Sequence, residues 1–201
     1  MTIIGITGLV ASGKSTLSKF LAQDKWPLFS ADKIVKEFYK KKIYRERLKK
    51  LFKFKNNSNL KDKIKDEIIK DRKKLTNLEE LIHPFVRKKM RSFIKNNKKK
   101  QLIFLEIPLL IESKLLKYFD IIIFVNSSKK IRLKRFISRG GNKFDFAILD
   151  KRQFVAKKKI SNSDQVINNN KSLKILEKSA KALLSKYEWN IFRHRNYGVI
   201  I

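Results

Sequence analysis

The sequence predicts a three-layer α/β fold, a five-stranded parallel sheet with helices on both faces. Three observations carry that prediction. Five short apolar runs, most of them β-branched, are separated by stretches of helical periodicity. The first run turns through a glycine-containing loop straight into a helical pattern, and residues 34–99 hold helical patterns with no strand among them. Strands that alternate with helices are joined by crossovers, which give parallel pairing with both faces covered.

The first strand is Ile3–Thr7. It runs into Gly8-x-x-x-x-Gly13-Lys14-Ser15, and Thr16, Leu17, Phe20 and Leu21 then open a helix. Strand, loop and helix in that order make a phosphate-binding P-loop, whose backbone N–H groups and positive helix-dipole end face the anion. On this reading Gly8, Ala11, Ser12, Gly13, Lys14, Ser15 and Thr16 surround the phosphates of a nucleoside triphosphate. Lys14 reaches the β- and γ-phosphates and the Ser15 hydroxyl ligates Mg²⁺.

The second strand, Pro27–Ser30, leads to Asp32, at the carboxyl end where ligands collect in open parallel sheets. A carboxylate there accepts a hydroxyl proton or holds Mg²⁺ through water, and the competing role is an N-cap for a helix starting near Ile34. Helical patterns follow at Ile34–Phe52, Ile64–Leu75 and Leu78–Ile94, with the loop Lys55–Asn59 dividing the first two. Pro84 interrupts the third, so His83-Pro84 predicts a kink or a break between two helices. Read alone, His83 is a structural residue bonding a freed carbonyl.

The third strand, Leu102–Ile107, stops before Pro108, which has no N–H to donate. Glu106 stands near its end, either as the carboxylate supporting Mg²⁺ or as an ordinary exposed charge. The fourth and fifth strands are Ile121–Val125 and Gln165–Asn168. Between them, residues 129–159 form a basic helical region around Gly140-Gly141, placed to close over the nucleotide. Arg132, Arg135 and Arg139 fall on one helix face, suited to clamping phosphates, and Arg139 beside the glycines is the favoured member. Asn142-Lys143-Phe144-Asp145 matches the N-K-x-D pattern by which GTPases read guanine. It follows no buried strand, the chain has no D-x-x-G, and the match is read as coincidence.

Composition narrows the rest. The chain has 201 residues, 42% of them hydrophobic, enough for one α/β core with a small insertion. It has no cysteine, which excludes disulfides and thiolate metal sites, and its two histidines exclude a multi-histidine site. Apolar runs such as 120–125 are too short to span a bilayer, and the start has no basic-then-apolar leader, so a cytoplasmic protein with no membrane partner is expected. The net charge of +32 invites a polyanion partner, but the lysines are spread along the whole chain. Together with abundant Ile, Asn and Phe they read as the bias of an AT-rich genome, with no specific nucleic-acid partner expected. A positive field still recruits phosphorylated substrates.

Taken together, these motifs resemble one family, the dephospho-CoA kinases. The resemblance runs in order through Thr7-Gly8…Gly13-Lys14-Ser15, Ala31-Asp32-Lys33-Ile34, Leu81-Ile82-His83-Pro84, Ile107-Pro108-Leu109-Leu110-Ile111-Glu112, Arg132-Leu133-Lys134-Arg135, Arg139 and Asp164-Gln165-Val166-Ile167-Asn168-Asn169. It implies a P-loop kinase fold whose nucleotide-binding core is 1–33 and 100–201, with a helical acceptor domain at 34–99 and a lid at about 129–159. It implies ATP-dependent phosphorylation of the ribose 3′-hydroxyl of dephospho-CoA, the last step of coenzyme A biosynthesis. ATP and dephospho-CoA are the expected partners, Mg²⁺ the expected ion, and a monomer the expected state. Lys14, Asp32 and Arg139 take the catalytic positions, Asp32 and His83 the acceptor side, Asn169 the nucleotide side, and Ser15 and Glu106 the metal. The chain departs from the family pattern at Ala11, where a glycine is usual, and at Ser30 and Gly140, where acids are usual. The acceptor region 53–61 is abbreviated as well. Two other readings fit the loop: a P-loop kinase for another small metabolite, and a nucleic-acid-binding P-loop ATPase, which lacks stacking aromatics.

Overall fold

The computed structural model describes residues 1–56, 59–71 and 73–197, the last stretch by backbone alone at 190 and 192–197. Part of the expected 55–59 loop, position 72 of the expected 64–75 helix and the His194 side chain therefore lie outside the described residues. By its internal contacts the chain divides into two units, Met1–Ser30 with Asn96–Ile201, and Ala31–Lys95.

The first unit is built on strands β1 (Thr2–Gly8), β2 (Leu28–Ser30), β3 (Leu102–Glu106), β4 (Ile121–Asn126) and β5 (Gln165–Asn168). All pair in parallel, in the order β2-β3-β1-β4-β5. The predicted five-stranded parallel sheet is therefore the one observed, with strand ends shifted by a residue or so. Its central strand β1 is buried along most of its length because helices cover both faces, which explains the continuous apolar run. On one face Ile4, Ile6, Phe104, Ile123 and Val125 pack against helix α1 (Lys14–Ala22) through Leu17 and Leu21. The same core takes in Leu176, Ala180, Leu183 and Leu184, which belong to a long C-terminal helix, Leu173–Tyr197. Sequence reading assigned that helix no element. Glu188 pins it, accepting from Lys25 Nζ at 2.7 Å and from Trp26 Nε1 at 3.1 Å.

Register fixes the working edge of the sheet. Ser30 and Ile6 both pair with Glu106, and Gly8 pairs with Val125, so the ends of β1, β2 and β3 converge where the loop begins.

The second unit is all helical among its described residues: α2 (Ala31–Lys40), α3 (Lys42–Phe52), α4 (Leu60–Lys70) and α5 (Lys73–Asn96, whose last residue falls in the first unit). Its own core joins Phe38, Leu48, Phe52, Ile64, Leu78, Ile82 and Phe85. Two expectations are corrected here. The single helix expected at 34–52 is two, because the chain turns at Lys41, which is extended at φ −77° and ψ 126°. That turn brings the Tyr44 ring onto Phe38 at 4.2 Å. Of the kink or break expected at His83-Pro84, the break does not occur, since α5 runs through Pro84. One missing N–H is outweighed by Leu78 and Ile82 before it and Phe85 after it, all anchored in the same cluster. Among the described residues no helix is long and apolar enough to cross a membrane.

Candidate active site

The loop from Gly8 to Ser15 joins β1 to α1. Gly13 is the helix N-cap in a left-handed conformation, φ 102°, and a Cβ there would lie 2.2 Å from Asn169 Nδ2. Only glycine leaves both the turn and that contact intact. Asn169, which directly follows β5, is 5% exposed and donates through Nδ2 to the Ser12 carbonyl at 2.8 Å. The bond places Asn169 beside the loop. Ser12 is fully buried, and Ala11 is left-handed at φ 57°, a conformation that suits the glycine usual there.

Lys14 is buried to 8% exposure, and its Nζ donates to the Leu9 carbonyl at 2.9 Å. Ser15 Oγ donates to Glu106 Oε1 at 2.5 Å. Glu106 is only 3% exposed, so the alternative of an ordinary solvent-facing strand-end charge is set aside. The pair is a hydroxyl and a carboxylate at the mouth of a phosphate loop. Such hard oxygen donors suit Mg²⁺, which completes its shell with water and substrate phosphates. Among the described residues no cluster of three His, Cys, Asp or Glu could hold a metal unaided.

Helix α6 (Lys129–Ile137) follows β4 and carries Arg132 and Arg135, whereas Arg139, expected on the same helix face, stands in the turn just beyond its end. Their fates differ. Arg132 is 4% exposed and committed, donating to Asp150 Oδ1 at 2.6 Å, to the Ser127 carbonyl at 3.1 Å and to the Val10 carbonyl at 3.4 Å. Arg135 donates to the Asn169 carbonyl at 3.0 Å and reaches the Ser12 carbonyl at 3.4 Å. Burial, and then the neighbouring Arg139 charge, hold its guanidinium below the ordinary arginine range. Arg135 and Arg139 line one cleft of about 220 Å³ with Gly13, Thr16, Asn169, Leu173 and Leu176, and no carboxylate is among its lining residues. Such a lining, two arginines beside two leucines, suits an anion with an apolar portion. Sequence reading favoured Arg139 alone, and Arg135 is the cleft residue it passed over. Gly140 is left-handed at φ 86°, which a glycine adopts more easily than the acid usual there.

Beyond α6 lie α7 (Lys143–Lys151) and α8 (Ala156–Ile160). The N-K-x-D sequence is a helix cap: Asn142 is the N-cap of α7, its side chain accepting from Asp145 N at 2.8 Å and donating to Asp145 Oδ2 at 3.0 Å. Gln153, after α7, bonds twice to the loop arm, accepting from Val10 N at 2.6 Å and donating to the Gly8 carbonyl at 3.3 Å. Lys159 is fully buried and pairs with Glu112 Oε1 at 2.9 Å while donating to the Pro108 carbonyl at 2.9 Å. Desolvation lowers its pKa and the Glu112 partner raises it back in part. Sequence reading missed Gln153 and Lys159, because neither stands in a local pattern with its partner.

In the helical unit, Asp32 is exposed in the first turn of α2, which begins at Ala31. It is therefore not the N-cap of a helix starting near Ile34, and its charge favours the helix start from inside. His83 lines an open groove on α5 with Glu80, Pro84, Arg87 and Arg91.

The family model described as dephospho-CoA kinase matches residues 2–174. A dephospho-CoA kinase of Fusobacterium nucleatum is 36% identical over 187 residues, covering 89% of this chain and 95% of its own. Among solved structures, a Thermus thermophilus protein superposes with TM-score 0.74 at 28% identity, covering 92% of this chain and 97% of that one. A Campylobacter jejuni dephospho-CoA kinase gives TM-score 0.67 at 22% identity over 94% of this chain and 98% of that one, a likeness of fold. With its phosphate loop, its Ser15–Glu106 pair and its arginine cleft on one parallel sheet, this chain belongs to the dephospho-CoA kinase family.

Proposed function

We propose that this chain transfers the γ-phosphoryl group of ATP to the ribose 3′-hydroxyl of dephospho-CoA, giving CoA and ADP. The observation that carries the reading is the phosphate cradle, in which Lys14, Ser15 and Glu106 meet at the end of β1 and β3 within a family match spanning residues 2–174. Phosphoryl transfer is mostly in-line positioning and charge neutralisation, and these residues supply both. Lys14 leaves the Leu9 carbonyl for the β- and γ-phosphates. Arg135 and Arg139 neutralise charge at the cleft beside Gly13, and Asn169 with Leu173 and Leu176 borders the nucleoside. Ser15 and Glu106 would hold Mg²⁺, which when bound neutralises phosphate charge. Asp32 orients or deprotonates the attacking hydroxyl, and His83 belongs to the acceptor side.

Residues 34–99 act as the acceptor domain, and residues around Arg139 and Gly140-Gly141 act as the lid that excludes water, since hydrolysis of ATP is the competing reaction. The protein is a cytoplasmic monomer with no membrane or specific nucleic-acid partner. The test is ADP formation in the presence of Mg²⁺ with and without dephospho-CoA, with the product assayed for a 3′-phosphate. Acceptor-dependent turnover supports the reading. Turnover indifferent to the acceptor would reject it.

A further inference from the structure

We propose that Gln153 is a positioning residue that sets the arm of the phosphate loop and, through it, the Lys14 ammonium. Four backbone groups of that arm, from the Gly8 to the Val10 carbonyl, each meet a side chain. Gln153 takes two, accepting from Val10 N at 2.6 Å and donating to the Gly8 carbonyl at 3.3 Å. Lys14 Nζ takes the Leu9 carbonyl between them at 2.9 Å, and Arg132 reaches the Val10 carbonyl at 3.4 Å. A carboxamide donates and accepts at two separate atoms of one planar group, which suits this pair of contacts. The grip is rooted in buried contacts. Phe154 N, the next residue, donates to Glu112 Oε1 at 2.9 Å, and Glu112 pairs with the fully buried Lys159. Arg132 is fixed in turn by Asp150 at 2.6 Å.

The arm needs such a grip because Leu9, Val10 and Ala11 all carry side chains, and Ala11, which stands where a glycine is usual, is already held at φ 57°. The Leu9 carbonyl is where Lys14 rests before a phosphate draws it away. Val10 N and the Leu9 carbonyl belong to one peptide, so Gln153 holds that peptide and the one before it, which fixes the starting point of the lysine. Arg132 of α6 and Gln153 just after α7 are thereby tied to the loop. Lid motion then falls to the residues between Arg132 and Asp150, which include Arg139 and Gly140-Gly141.

The inference rests on the loop binding ATP, but its first readout needs no ligand. Amide hydrogen exchange of Val10 is compared in the full chain and in Gln153→Met, which keeps volume and removes both bonds. Val10 is expected to exchange about 10-fold faster in the variant, with Ile4 and Ile6 of β1 unchanged, and ATP to bind about 10-fold more weakly, as the loss of two modest hydrogen bonds predicts. Gln153→Glu is the second variant. Ionised, it keeps the bond from Val10 and repels the Gly8 carbonyl. Protonated, it donates and accepts as the amide does, so its Val10 protection and ATP affinity, relative to wild type at the same pH, recover as pH falls through the glutamate range. Unchanged Val10 exchange in Gln153→Met would overturn the proposal. If that variant does not fold, a flat pH profile for Gln153→Glu would overturn it equally. Absence of acceptor-dependent turnover would remove the dephospho-CoA reading and leave the exchange result standing.

Discussion

Replacing Gly13 by alanine tests how the loop is held, and its cost can be worked from the structure. The backbone at φ 102° is one that L side chains rarely adopt, which costs about 1–2 kcal/mol. The new Cβ would lie 2.2 Å from Asn169 Nδ2, so the carboxamide must swing away. It then loses its bond to the Ser12 carbonyl, a buried contact of 2.8 Å whose loss costs about 1–1.5 kcal/mol. Gly13→Ala is therefore expected to destabilise the chain by about 3 kcal/mol and to abolish tight ATP binding, the first read by urea denaturation and the second by calorimetry. Asn169→Ala already lacks the bond to Ser12. The double variant should accordingly be about 1–1.5 kcal/mol more stable than the sum of the two single effects predicts. Strict additivity, or a Gly13→Ala midpoint equal to wild type, would refute this account of the loop.

Ala11→Gly relieves a left-handed alanine and gives back some unfolded-chain entropy, for a net stabilisation of about 0.5–1 kcal/mol; a lower denaturation midpoint would sink the idea. Asp32→Asn is expected to keep ATP affinity and to lose transfer by roughly 10²–10⁴-fold, whereas Lys14→Ala loses both, so a normally active Asp32→Asn would remove the assigned role. Tyr187 is buried with a hydroxyl that has no hydrogen-bond partner among the described residues, and desolvation, then the Asp164 charge, raise its pKa above the ordinary tyrosine value. The folded state therefore keeps this proton where the unfolded chain gives it up, so stability present below about pH 10 is lost as pH rises further. Tyr187→Phe should lack that part of the alkaline loss and be at least as stable at neutral pH; parallel alkaline unfolding curves for the two proteins would contradict this.

The sheet was legible because each strand is an apolar run with a turn or helical signal on either side, and the loop because its spacing is a physical requirement of cradling phosphate. What sequence reading lost was decided elsewhere. The turn at Lys41 and the unbroken helix through Pro84 follow from which side chains share the helical core, which no local propensity records. Arg132, Arg135 and Arg139 look alike in the sequence at helical spacing, yet the structure surrounds them differently, Arg132 by Asp150 and the other two by an open cleft. Gln153 bonds to residues 143 and 145 positions away, so no window of sequence contains both ends. The C-terminal helix was an oversight of another kind. Leu176, Ala180, Leu183 and Tyr187 recur at helical spacing and face the core, so its signal was present.

The central claim is that the cradle serves transfer to dephospho-CoA, and it is tested most directly by ADP release from purified protein, ATP and Mg²⁺ with and without that acceptor. The account predicts turnover that rises from a low hydrolytic background only when dephospho-CoA is present, with CoA as product. ATP bound tightly but turned over at the same rate with and without dephospho-CoA would contradict it.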